Sequence, residues 1–230
     1  MKYDPAPIPQ TTRRLALAVA FTVALLPPLA AADLMPPPVP PDLEVPAGNT
    51  AFLEGHASGT QNYIYLPSAA GIAWTLVGPQ ATLFNDWDRQ LITHFLSPNP
   101  DEGDTPRATW QHSLDTSSVW AVAIASSANP TFVASGAIPW LLLQVVGTQP
   151  GPTGGDRLAD STFIQRVHTS GGVAPSTGCV EFTDVGQRAF VPYTAAYVFY
   201  EAPQTSRRTQ GVVNLLPVSN DFLVDGCMTT

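Results

Sequence analysis

Lysine is almost absent from this chain. Lys2 is the only one in 230 residues, and charged residues make up 12% of the whole. Beyond Ala32, seven arginines stand against 17 acidic residues, a formal net charge of −10. Binding to nucleic acid or to an anionic lipid surface depends on basic patches that neutralise phosphates. The composition therefore excludes both partners. Cysteine is as scarce, with Cys179 and Cys227 alone, so no lipid-anchor cysteine follows the leader. The longest apolar run near the N-terminus, Leu15 to Leu26, falls short of the roughly 20 residues that a spanning helix needs. No repeat period is visible, which argues against a propeller or solenoid. HExxH, CxxC, GxSxG and GxGxxG are all missing; the nearest approaches are GHASG at Gly55 to Gly59 and GPTGGD at Gly151 to Asp156. Neither has the strand-turn-helix context that hydrolase or dinucleotide chemistry requires.

What is present begins with a leader. Arg13 and Arg14 precede the apolar run, Pro27-Pro28 stops it, and Ala30 to Ala32 supply a small-residue cleavage site. Residues 1–32 are read as an export signal cleaved after Ala32. The stretch TTRRLAL lacks the phenylalanine usual after a twin-arginine pair, so the general secretory route is at least as good a reading. The protein is then periplasmic or extracellular, with no transmembrane anchor in the mature chain. In that oxidising setting a Cys179–Cys227 disulfide is the economical reading. A free catalytic thiol is the alternative, disfavoured because no basic group neighbours Cys179 in sequence.

Residues 33–50, DLMPPPVPPDLEVPAGNT, are rich enough in proline to form an extended arm. From residue 51 to 230, short β-branched and aromatic segments recur between turn-forming clusters, the pattern of an all-β domain. Strands are expected over 60–66, 72–77, 90–96, 107–113, 118–125, 138–147, 161–169, 190–201 and 211–218. SVWAVAIA and IPWLLLQVVG are apolar on both faces and should be covered on both. Alternation in 90–96 puts Leu91, Thr93 and Phe95 on one face and Ile92, His94 and Leu96 on the other. VGPQATLFNDWDRQL has room for a short helical turn.

Several segments, in order, carry a family resemblance: PPDLEVPAGNTAFLEGHASGTQNYIY, WTLVGPQATLF, HF followed by TW, IPWLLLQ, FIQRVHTSGGVAPSTGC and VPYTAAYVFY. Together they resemble the domain of unknown function 3455 family over about Pro40 to Tyr200. The resemblance implies an exported protein of a bacterial and fungal family without an established activity, so it transfers no catalytic residues. His94 matches the family pattern. His112 is not part of it, His168 stands where an asparagine is expected, and a cysteine expected near Tyr65 or Leu66 is missing.

The candidate ligand-binding residues are His94, Trp110, His112 and Asp115. By type, His94, His112 and Asp115 suit zinc, yet they lack tight spacing, and TWQHSLDTSSVW reads first as a hairpin with turn chemistry between its tryptophans. Asp101, Glu102 and Asp104 could offer oxygen to calcium but fail the EF-hand spacing. Asp86 and Asp88 could be paired carboxylates; capping a turn is the simpler role. Val191, Tyr193, Tyr197 and Phe199 share one face, as do Tyr63 and Tyr65. Exposed, such rows would stack on sugars; buried, they are core.

The resulting expectation is a mainly β, single-domain antiparallel β-sandwich or barrel with an extended proline-rich N-terminal arm. Its expected function is a non-enzymatic binding role, toward a carbohydrate or an envelope component, with no cofactor. An extracytoplasmic hydrolase, metal-dependent or not, is the first alternative, and a structural or stress-related envelope protein the second.

Overall fold

Eight strands follow one another around a closed barrel, each antiparallel to its neighbours in sequence order, with β8 returning to β1. They are β1 (Thr50–Ser68), β2 (Gly71–Phe84), β3 (Gln90–Asn99), β4 (Thr105–His112), β5 (Ser118–Ser127), β6 (Trp140–Gln149), β7 (Ser161–Gly171) and β8 (Arg188–Glu201). The structure is a computed structural model and describes residues 34–69, 71–176 and 182–203. The leader, Cys179 and Cys227 with their expected disulfide, and the expected strand over 211–218 lie outside the described residues. Closure decides between sandwich and barrel, and it leaves the sheet without a free side edge.

The period-2 alternation of side chains determines what fills the barrel. On β1, Leu53, Gly55, Ala57 and Gly59 lie opposite Phe199, Tyr197, Ala195 and Tyr193 of β8. Small residues on one strand thus leave room for the rings of the other. The series continues from Gly59 to Ala81 on β2, to His94 on β3, to Trp110 on β4 and to Val119 on β5. Gly59 is required for this packing: a β-carbon there would collide with the carbonyl of Gln80 and the backbone of Ala81. The inner core includes Leu83, Ile92, Trp110, Ile164, Tyr197 and Phe199.

A second core lies outside the barrel wall. Leu34, Val39, Leu43 and Val45 of the proline-rich arm pack on Trp140, Leu142, Val167, Val198 and Tyr200. The arm turns through a 3-10 segment at Pro41–Leu43. Its Leu43 carbonyl accepts a hydrogen bond from Gln165 Nε2 at 2.7 Å, and the Tyr200 hydroxyl donates to Gln165 Oε1. The two-faced apolar strand β6 is explained by this arrangement, with Leu143 in the inner core and Trp140 and Leu142 under the arm. On β5 the expectation holds for Ser118 to Ala121 only. Ala123 and Ile124 are exposed, next to a bulge between Ala123 and Ala125.

The helical turn expected in VGPQATLFNDWDRQL is replaced by the second half of β2 and a tight turn. Asn85 Oδ1 accepts from the backbone N–H of both Trp87 and Arg89 at 3.0 Å, and Asp88 takes a left-handed φ of 56°. An Asx turn outcompetes a helix here because the asparagine side chain satisfies the donors locally.

Candidate functional site

The site is built from the inward faces of all eight strands. They enclose a cavity of about 310 Å³ whose walls include Gln61 of β1, His94 and Leu96 of β3, Trp110 of β4, Leu143 of β6, Arg166 of β7 and Tyr197 of β8. Apart from Gln61, His94, Arg166, the hydroxyl of Tyr197 and the indole N–H of Trp110, the lining side chains are aliphatic or aromatic carbon. One end of the lumen is plugged. There Asp115, in the β4–β5 turn, accepts from His112 Nδ1 at 2.9 Å and from the N–H and hydroxyl of Ser117 on one oxygen. Its other oxygen accepts from the backbone N–H of Arg157, in the β6–β7 connection, at 2.9 Å. Leu158, fully buried, fills the space behind them.

The cavity reaches the surface where β2 and β3 separate. Hydrogen-bonded pairing between these strands runs only from Ala81 to Phe84, opposite Gln90 to His94. Beyond it the wall is closed by side-chain contact, with Leu96 lying against Gly78. Leu76, Val77 and Leu96, exposed by 53%, 49% and 43%, rim this seam with apolar surface.

Within the lumen, the His94 imidazole stacks on the Trp110 indole, with ring centroids 4.2 Å apart and planes 12° from parallel. Tyr197 leans on both rings, at 5.1 and 5.6 Å. His94 Nδ1 lies 2.8 Å from the Thr109 carbonyl, which can only accept, so Nδ1 carries the proton and Nε2 is left as an acceptor. Burial pushes the His94 pKa down to about 3, helped by the charge of Arg166 and opposed by the Thr109 carbonyl. At neutral pH the ring is uncharged. Burial raises the Tyr197 phenol, and the charge and hydrogen bond of Arg166 act against it. Trp110 is fully buried, and its indole N–H has no hydrogen-bond partner among the described residues.

The four residues expected to form a site therefore divide into two pairs. His94 and Trp110, directly opposite in register, line the cavity. His112 lies two residues further along β4, opposite Ile92, and with Asp115 it belongs to the plug. TWQHSLDTSSVW is a hairpin as expected, its strands β4 and β5 joined by the turn that Asp115 organises. His168 lies elsewhere, outside the wall, edge-on to Trp140 at 5.1 Å. Among the described residues no three His, Cys, Asp or Glu side chains come together in a way that could hold a metal ion.

Other expectations resolve in the same way. Glu102 of the acidic loop is bound by the guanidinium of Arg107 and by Asn99, and the Arg107 hydrogen bonds lower its pKa to about 2. Asp86 bonds to His56 Nε2 at 2.9 Å beside an open outer groove, and Asp88 lies in the Asx turn. Tyr193, Tyr197 and Phe199 are inner core, Tyr65 packs on Trp74, and the Tyr63 hydroxyl donates to the Gly172 carbonyl. These rows are packed inside the protein and not laid out for a sugar ring.

Arg166 is the functional candidate that sequence reasoning missed. In STFIQRVHTSG, alternation places it on the face of Ile164, a lone cation on an apolar face. That mismatch was the available signal. Among the described residues, no helix is long and apolar enough to cross a membrane.

No curated protein and no solved structure matches the chain. The family model described as Protein of unknown function (DUF3455) matches residues 46–201, which run from the arm through the whole barrel to the end of β8. By that match, which covers more than half of its length, the chain belongs to the DUF3455 family.

Proposed function

We propose that this protein is an extracytoplasmic binding protein that holds a small, mainly apolar molecule inside its barrel. The observation that carries the reading is the cavity of about 310 Å³ walled by all eight strands and open at an apolar seam. Pockets that bind small ligands are concave, predominantly apolar and furnished with a few convergent polar groups; this lumen has each property. An envelope component with hydrocarbon character suits it better than a carbohydrate, because the tyrosines that would stack on sugar are committed to the core. The export signal read over residues 1–32 supports a place in the periplasm or outside the cell.

The hydrolase alternative draws less support. A general base works best with a pKa near the working pH, whereas His94 is held near 3. His94 is better suited to accept a hydrogen bond through Nε2 and to offer a flat face.

The test is saturable binding of an uncharged fluorescent probe of matching size, 1-aminonaphthalene, by the purified protein and by Ala123→Trp, which fills the cavity from its exposed rim. Stoichiometric binding by the parent that is lost in the folded variant is expected. Absence of binding in both, or equal binding in both, would contradict the proposal.

A further inference from the structure

Resting on that reading, we infer that the ligand carries a carboxylate, which Arg166 receives inside the lumen, with the hydrocarbon part lying toward the β2–β3 seam. Arg166 projects from β7 into the cavity, between Leu141 of β6 and Tyr197 of β8. Its Nε and Nη2 both donate to the Pro139 carbonyl, at 3.2 and 2.8 Å. These bonds, with a further one to the Tyr197 hydroxyl, fix the plane of the guanidinium and occupy three of its five N–H groups, leaving two for another acceptor. Arg107, the other half-buried arginine on a described strand, behaves differently: it is closed by a two-pronged ion pair to Glu102. Among the described residues no carboxylate pairs with Arg166, although acidic residues outnumber basic ones.

An arginine facing an apolar cavity without a counter-charge is costly unless something answers it. Its flat fork matches a carboxylate in shape and charge. One further group favours an anionic head at this depth. The Trp110 indole N–H is unpartnered and fully buried, and a carboxylate oxygen would accept from it; His94 Nε2, itself an acceptor, does not favour the anion. A ligand cation would be repelled, and a neutral molecule would leave the guanidinium without a counter-charge. Size narrows the class. At roughly 30 Å³ for each water-sized group, a cavity of about 310 Å³ takes about ten non-hydrogen atoms. A straight-chain carboxylate of octanoate length fills it, and longer chains would emerge between Leu76, Val77 and Leu96.

The experiment compares sodium octanoate with 1-octanol, of equal chain length and nearly equal size, by calorimetric titration of the purified protein. Octanoate is expected to bind at least tenfold more tightly, the scale of one charge-assisted hydrogen bond. In Arg166→Gln that preference should fall to about twofold or less, while 1-octanol affinity is retained. Equal affinity of the two ligands for the parent protein overturns the carboxylate inference and leaves the lumen reading standing. Binding of neither ligand overturns both. A preference that survives in folded Arg166→Gln overturns the assignment to Arg166. Should that variant fail to fold, Arg166→Met supplies the same comparison.

Discussion

The imidazole of His94 lies flat on the indole of Trp110, 4.2 Å between centroids, in the middle of the barrel wall. The ring is neutral and dry there: His94 is 2% exposed, and burial holds its pKa near 3.

Acid should therefore weaken the fold in a defined window. Because the His94 pKa is lowered on folding, the unfolded chain binds the extra proton first, and stability falls as pH drops from about 6.5 toward 3. The slope is at most about 1.4 kcal/mol per pH unit for a single group. Asp115, whose carboxyl is held well below the ordinary range by the Arg157 and Ser117 donors despite its burial, adds to the loss only below about pH 4. Urea midpoints at pH 7, 5.5 and 4.5 should decline in the parent protein and decline less in His94→Phe. Parallel slopes in the two proteins would exclude His94 as the source.

Asp115→Ala should be among the most damaging single changes at the plugged end. It removes the acceptor for four donors, from His112, Ser117 and Arg157. The cost expected from denaturant unfolding is roughly 2–4 kcal/mol. Asp115→Asn, which keeps one carbonyl oxygen, should recover part of it. If instead the aspartate served only a ligand, stability would be unmoved.

Leu43→Ala tests whether the arm belongs to the folded domain. Leu43 is fully buried in the outer core against β6, β7 and β8. Truncation of such a side chain costs about 2–5 kcal/mol. Differential scanning calorimetry should show one transition at lower temperature. A variant with unchanged Tm would mean that the arm contributes nothing to stability.

Gly59→Ala should destabilise by about 1–3 kcal/mol, the usual cost of overpacking, because the methyl would meet the backbone of β2 at Gln80 and Ala81. Gly103→Ala is the control. Nothing crowds it, and its φ of 60° brings only local strain. A loss at Gly59 no larger than at Gly103 would refute the close approach.

Much of this was legible from local pattern. Each of the eight strands lies over an expected segment, and the hairpin between Trp110 and Trp120 follows from SLDTSS. Strand length was harder to read. β1 runs 19 residues, from Thr50 to Ser68, where a much shorter strand was expected, because its glycines read as turn signals. Gly55 and Gly59 make room for Tyr197 and Tyr193 on the neighbouring strand β8, a partnership set by residues some 140 positions away. Arg166 was passed over for a similar reason. Alternation shows that it shares a face with Ile164, but only closure of the sheet makes that face the inside of a cavity.

The seam between β2 and β3 has a kinetic consequence. Where its strands are paired the wall is a ladder of backbone hydrogen bonds, and a molecule leaving through such a stretch would have to break several together. At the seam, beyond the pairing that ends at Ala81 and His94, Leu96 rests on Gly78 with no strand pairing between the two. Swinging one leucine aside opens the lumen at the cost of contact alone, and side chains reorient in picoseconds to nanoseconds when exposed. Under the proposed binding role, a molecule held in the barrel would exchange without the fold loosening, its residence time set by how firmly the interior holds it and not by the stability of the protein around it.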